Sequence, residues 1–392
     1  MALLSSVAAE EPQSSAPDAP SLDFPLGWLL DRATPPIIYR SYVDVAGLPI
    51  PEGSDIAALT LSAPTPLALA SSQTADGIWN NSMLAIPEVS SAVETGPEVP
   101  ASVVAAKQVV GVGTIPATRR LLEYGWDRET PPLRQARRIL FRLLAEDDDP
   151  NYLFEFRDEA TNEETALRAR NILREAAAAA LAQAGYESDP RLRGAARRIL
   201  ERMDEFLDSA LAEKPWVRIG NRHVLSADAA PPSIFALTML AHMPIFRSEH
   251  YPEMERLYAY LTQPKPTQES VQLYGKEIIN QPHLVLGDLL HNKNVVDNDV
   301  PFALMWLETM ARLNFLKRNE NWMKMFERLV DDRDRYGVWH PHKGDEAPSS
   351  ANPYVWPMFP LEERLENDTR WTDVTFRIGL IARLLGWQIV VK

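Results

Sequence analysis

Two pairs of histidines are the residues in this 392-residue chain whose type and spacing could do chemistry. His340 and His342 stand one residue apart in "HPHKGDE", ahead of Asp345 and Glu346. Such a set ligates a metal when a rigid frame and hydrogen-bonded supporting groups hold it, and no such support is legible around it. His283 and His291 in "QPHLVLGDLLHNKN" are eight residues apart, about two helical turns, near one face. With Asp288 and Asp299 nearby they could line a cavity. The plainer readings are solvated loop histidines and a histidine satisfied by packing, so neither a metal nor a cofactor is expected. The chain has no cysteine, which removes disulfides, thiolate zinc sites, iron–sulfur clusters and cysteine nucleophiles. It also lacks a Gly-x-Ser-x-Gly elbow, a phosphate-cradling glycine loop and a His-Glu-x-x-His helix.

The first pair sits in "RYGVWHPHKGDEAPSSANPYVWPMFPLE", residues 335–362, whose five prolines forbid regular structure. Those prolines lower the entropy lost on ordering the segment, and its aromatics supply area to bury. Trp339, Tyr354, Trp356 and Phe359, with Trp371 beyond, read as packing and lid residues and as a wall for an apolar ligand. Trp356, between Val355 and Pro357, is the ring expected to insert into a helical groove.

The elements that must position these residues are helices. "IPATRRLLEYG", "PPLRQARRILFRLLAE", "NEETALRARNILREAAAAALAQAG", "PRLRGAARRILERMDEFLDSALAE", "VPFALMWLETMARLNFLK" and "NENWMKMFERLVDDR" carry apolar residues at steps of three and four. In "WTDVTFRIGLIARLLGW", Thr372 or Asp373 is expected to cap the last helix. Alternating β-branched runs are nearly absent, which predicts an all-α chain with a few short strands at most. "GWDRETPPLRQARRILFR" from Gly125 and "GYESDPRLRGAARRILER" from Gly185 repeat at an offset of 60, with Ala136 and Ala196 in register. That period suits a helical hairpin, and stacked hairpins give an open α-solenoid or a closed α/α toroid. Residues 1–22, rich in Ala, Ser, Pro and Glu, read as a disordered tail before one domain over 23–392. The net charge of −14 opposes nucleic acid and anionic membrane as partners. Arg134, Arg137, Arg138 and Arg142 recur at helical spacing as a solvated face. No secretory signal or membrane-length apolar run is legible, so a cytoplasmic location is expected.

Two further stretches favour closure. "DGIW" at 76–79 and "YGVW" at 336–339 place glycine, a β-branched residue and tryptophan at hairpin junctions. They resemble the "DGxW"-type element of the terpenoid cyclase and protein prenyltransferase toroid superfamily. The opening "WLLDRATPPIIYRSYVDVAGLP" is also similar to the first hairpin of bacterial members. The resemblance implies a barrel of inner and outer helices over most of residues 24–392. Class II cyclases of that superfamily use an Asp-x-Asp-Asp acid, and the nearest stretch here is "AEDDDPN", with Asp147, Asp148 and Asp149. The prenyltransferase branch requires a cysteine zinc ligand, which this chain lacks. "VDDRDRYG" resembles the magnesium-binding run of class I synthases, but its aspartates alternate with arginines that compete for them. The expectation is therefore a non-catalytic or degenerate toroid that acts by binding or scaffolding, with an apolar small molecule or a protein as partner. The alternatives are an isoprenoid cyclase or lyase using Asp147–Asp149, and a glycan-active α/α-barrel enzyme with two inward carboxylates.

Overall fold

The computed structural model describes residues 20–50, 52–87, 101–145, 154–158, 160, 162–291, 295–342, 347–362, 364 and 367–392. The chain is mostly helical, with a few short strands. β1 (Ser21–Phe24) begins inside the expected tail, with Ser21 and Leu22. Then come α1 (Leu26–Arg32) and α2 (Pro35–Arg40), whose prolines occupy first-turn positions that need no N–H donor. α2 runs on as a π turn over Ser41–Val45 and stops at Gly47, which has φ +65°. After α3 (Ile56–Leu59), α4 (Pro64–Ser71) and α5 (Ala101–Gln108), the chain forms longer antiparallel pairs. These are α6 (Thr114–Glu123) with α7 (Pro131–Leu143), and α8 (Glu163–Gln183) with α9 (Pro190–Leu207).

Strands that the helical reading left unplaced follow. β2 (Trp216–Ile219) and β3 (Arg222–Leu225) form a hairpin, then come α10 (Ile234–Ala241), α11 (Pro244–Glu249) and α12 (Tyr251–Leu261). A second hairpin, β4 (Val271–Tyr274) and β5 (Glu277–Asn280), joins the first in one sheet of order β2-β3-β4-β5. Each hairpin turns on two residues, the first a glycine at φ +59°, as a type II′ turn requires. α13 (Val295–Asn298), α14 (Val300–Arg312), α15 (Glu320–Asp331), α16 (Asn367–Leu384) and β6 (Gln388–Val391) complete the chain. β6 pairs in parallel with β1, which ties the last residues to the first described ones.

The repeat legible at Gly125 and Gly185 recurs as a helix ending. In α6, Gly125 N donates to Leu122 O and Trp126 N to Leu121 O, the two bonds of a Schellman motif. The same pair of bonds ends α8 at Gly185 and Tyr186, α14 at Asn314 and Phe315, and α16 at Gly386 and Trp387. All four turning residues have positive φ, and each is followed by an aromatic ring. The following helices α7 and α9 bury the same register of Ala136, Ile139, Leu140 and Ala196, Ile199, Leu200.

The two Gly-x-Trp turns are likewise built alike. Gly77 N donates to Thr74 O and Thr74 N to Ile78 O, while Gly337 N donates to Asp334 O and Asp334 N to Val338 O. Gly77 and Gly337 have φ +86° and +87°. Trp79 N then donates to Thr114 Oγ1 of α6, and Trp339 N to Thr375 Oγ1 of α16. Both indoles are buried.

Packing runs from α6 to α8, α8 to α10, α10 to α14, α14 to α16, and from α16 back to α2 with its π turn. α16 begins at Asn367, so Thr372 and Asp373 lie inside the helix and do not cap it. Buried Asp373 instead accepts the N–H groups of Leu361 and Glu362, the end of the proline-rich loop. Gly379 sits mid-helix, where glycine is normally unfavourable, because a Cβ there would lie 2.5 Å from Phe24 Cε2 and 2.9 Å from Val45 Cγ1. Gly379→Ala should therefore destabilise by about 1–3 kcal/mol in urea unfolding, despite alanine's better helix propensity. An unchanged or raised midpoint would mean that Phe24 yields freely.

Candidate functional site

Burying a guanidinium without a carboxylate is costly, and the helix interior here holds several guanidiniums close together. Arg377 on α16 is fully buried, donating to Glu308 Oε2 of α14 at 3.0 Å and Glu123 Oε2 of α6 at 2.7 Å. Arg40 on α2 reaches the same Glu123 oxygen at 2.5 Å and Asp44 at 2.7 Å. Arg312 clasps Glu308 from one helical turn away. Gln183 at the end of α8 donates to Glu123 Oε1 and accepts Arg119 Nε, so five helices converge on one network. Arg377 and then Arg40 outweigh burial and hold the Glu123 carboxyl well below its ordinary range. Arg377 and Arg312 likewise hold Glu308 low. Two carboxylates held ionised this way cannot serve as a general acid at neutral pH.

A void of about 30 Å³ adjoins the network, lined by Arg119, Glu123, His242, Glu308, Arg312 and Tyr354 among others. Arg119 and Tyr354 also line a larger cavity of about 470 Å³. Leu84, Ile86, Ile115, Ile172, Phe235 and Pro357 give that cavity apolar walls against the N-terminal halves of α6, α8 and α10. Its ionisable lining residues are Arg119, Glu155, Arg168 and His283. Glu155 Oε1 accepts Ser82 Oγ and the backbone N–H groups of Met83, Leu84 and Ala85, so backbone donors already satisfy it. Gly113 is glycine because a Cβ would meet Ser82 Oγ and Ala85 N of that same turn at 2.8 Å. Arg168 donates to Asn280 O and Gln281 Oε1 and lies over the Phe156 ring.

His283 lines this cavity and a neighbouring one of about 570 Å³ between α8, α9 and the strands. Its ring stacks on Phe235, and its nitrogens have no hydrogen-bond partner among the described residues. Burial, helped by Arg168 and Arg202, pushes its pKa down to about 3, so the imidazole is neutral. In the second cavity Glu175 accepts Arg202 Nη2 and Ser233 Oγ, the N-cap of α10.

The expected site residues separate in the fold. Tyr354 and His283 share the 470 Å³ cavity. His291 does not join them: residues 281–291 are an irregular turn rather than a helix, so the eight-residue spacing carries no facial meaning, and His291 is exposed. Trp339 and Phe359 are buried in the core. Trp356 is half-buried, packed against the core and under the Arg120 guanidinium. Trp371 packs its ring against His340. His340 and His342 diverge, each towards a different aspartate, Asp334 and Asp332, at 3.2 and 3.5 Å. No cluster able to hold a metal occurs among the described residues. Asp147, Asp148 and Asp149 lie outside the described residues, as do Asp345 and Glu346. The proline-rich loop contributes Pro353, Tyr354 and Pro357 to the cavity lining. It is pinned by Arg120 to Trp356 O and Pro360 O and by Arg377 to Met358 O.

The ion network was missed in the sequence, although a signal was present. Glu308 is the one acidic residue in "VPFALMWLETMAR", and Arg377 interrupts "VTFRIGLIA". A lone charge on an otherwise apolar helix must find a buried partner. The chain matches no family model, no curated protein and no solved structure. No helix among the described residues is long and apolar enough to cross a membrane.

The depressed His283 pKa predicts a pH dependence. Between about 3 and the ordinary 6.5, the unfolded chain binds a proton that the folded chain refuses. Stability from this residue is thus complete above pH 6.5 and lost as pH falls through that window. His283→Phe should flatten the fall in unfolding free energy between pH 6.5 and 5 by about 2 kcal/mol relative to the parent. Parallel curves for the two proteins would place a charged imidazole in the folded state. Asp373, raised by burial to about 6, works in the opposite sense and is common to both proteins.

Proposed function

We propose that this chain is a non-catalytic, degenerate member of the terpenoid cyclase and prenyltransferase toroid superfamily that binds an apolar small molecule. In this reading the hairpins close into an α/α toroid. The matched Gly-x-Trp turns, the four like helix endings and the bonds from Arg377 and Arg40 back to Glu123 support that closure. The cytoplasmic setting expected from the sequence belongs to the same proposal. The observation that carries it is the 470 Å³ cavity, whose walls are largely apolar and include Pro353, Tyr354 and Pro357 of the loop. That volume lies in the range of small-molecule sites. A binding role is favoured over catalysis because the two inward carboxylates, Glu123 and Glu308, are clamped by arginines and kept ionised. A glycan-active enzyme would need one of them as a proton donor.

The test uses a neutral fluorescent probe, N-phenyl-1-naphthylamine, and a variant that fills the cavity. Leu84 is half-buried at the wall, where it packs against the core, and Leu84→Trp keeps an apolar side chain there while adding volume. The parent should bind the probe saturably with a blue-shifted emission. The variant should bind about tenfold or more weakly, a loss of about 1.4 kcal/mol, with an unchanged unfolding midpoint. Equal binding by both proteins would remove the cavity as the site.

A further inference from the structure

Among the described residues around the buried network, one cation has no carboxylate partner. Arg40, Arg119, Arg312 and Arg377 bring four guanidiniums, and Asp44, Glu123 and Glu308 bring three carboxylates. Arg40, Arg312 and Arg377 each form ion pairs with these acids. Arg119 forms none among the described residues, although Glu123 stands four positions on along α6. Glu123 instead faces Arg40 and Arg377, and Arg119 holds Glu123 only through Gln183. The one hydrogen bond of the Arg119 side chain uses Nε, which leaves the terminal Nη groups with no partner among the described residues. The side chain is half-buried, and it lines both the cavity and the void beneath it. Its pKa is lowered by desolvation, as expected for a cation that protein carboxylates leave incompletely balanced.

We propose that the apolar cavity takes an amphipathic monocarboxylate, whose carboxylate is received by the free Nη groups of Arg119 and whose chain lies along Ile115, Ile172 and Phe235. This inference rests on the reading of the cavity as a ligand site and adds the chemistry of the headgroup. A guanidinium presents paired N–H donors that match the two oxygens of a carboxylate. The headgroup carries a single charge because one cation is unmatched. Of the other ionisable lining groups, Glu155 is satisfied by backbone N–H groups, His283 is neutral, and Arg168 is already engaged by Asn280 O and Gln281 Oε1. His283 still contributes. A buried imidazole with an unused ring N–H can donate one neutral hydrogen bond to a ligand without adding charge. Among the described residues the cavity offers the Arg119 Nη groups as unengaged cationic donors and no metal-binding cluster, so a diphosphate would bring in more negative charge than these donors balance.

Calorimetric titration of the full chain with decanoate, decanol and decyl phosphate, each below its micelle-forming concentration, tests this. Decanoate should bind about tenfold or more tightly than decanol. Arg119→Gln should bring decanoate down to the level of decanol and leave decanol unchanged. The unliganded variant should unfold at or above the parental midpoint, because it loses an unbalanced buried cation. Equal affinity for decanoate and decanol in the parent, with the neutral naphthylamine still binding, overturns the headgroup inference and leaves the ligand site standing. Failure of all four probes overturns both. Decyl phosphate binding about tenfold more tightly than decanoate would assign the site to a dianion and refute the monocarboxylate.

Discussion

Arg377 is a positive charge with no exposed surface, and the arrangement of the helices around it follows from that constraint. A buried guanidinium must meet carboxylates and carbonyls in its own plane. It finds Glu123 on α6, Glu308 on α14 and Met358 O in the proline-rich loop. Because Glu123 is also held by Arg40 on α2, the first helices of the chain, the middle ones and the last are bound to one ion network. Apolar packing can slide by a helical turn at modest cost. A bridging guanidinium cannot, so this network fixes the register in which the helices meet.

The same groups shape the cavity. Arg377 and Arg120 tie down carbonyls of the loop at Trp356, Met358 and Pro360, which places Pro353, Tyr354 and Pro357 in the cavity lining. Asp373 and Glu362 close the loop's far end through backbone N–H groups and Thr34. A loop that cannot pair its backbone in a helix or a sheet has its polar groups satisfied by buried charges. Gln183 then links the network to Arg119, where the cavity and the void beneath it meet.

Much of the scaffold was legible because its signals are local. Gly125 and Gly185 followed by an aromatic, and the Ala-Arg-Arg-Ile-Leu runs after them, became matching helix ends and helices with matching buried registers. Gly77 and Gly337 became the same turn. A few short strands were expected but not placed, although "WVRIGNRHVL" and "VQLYGKEIIN" each hold a glycine-led two-residue turn between β-forming segments. The site was less legible because its members lie far apart in sequence. Arg377 and Glu123 are separated by 254 positions, and no spacing rule connects them. Tyr354 and His283 were found by type, as an aromatic in a lid and a histidine among apolar residues. His291 was misplaced because a helical period was applied to an irregular turn. The aromatic inserted as a wedge is Trp339, behind its glycine, while Trp356 stays half-buried under Arg120.

The measurement closest to the centre of this account is urea unfolding of Arg377→Met. Methionine keeps an apolar side chain in the space but leaves Glu123 and Glu308 without their shared cation. If the network sets how the helices meet, the variant should lose about 3–5 kcal/mol relative to the parent, the usual result of removing one partner from a buried ion pair. A variant as stable as the parent, with the same dependence on urea, would mean that apolar packing alone holds the helices and that the ion network merely fills the space they leave.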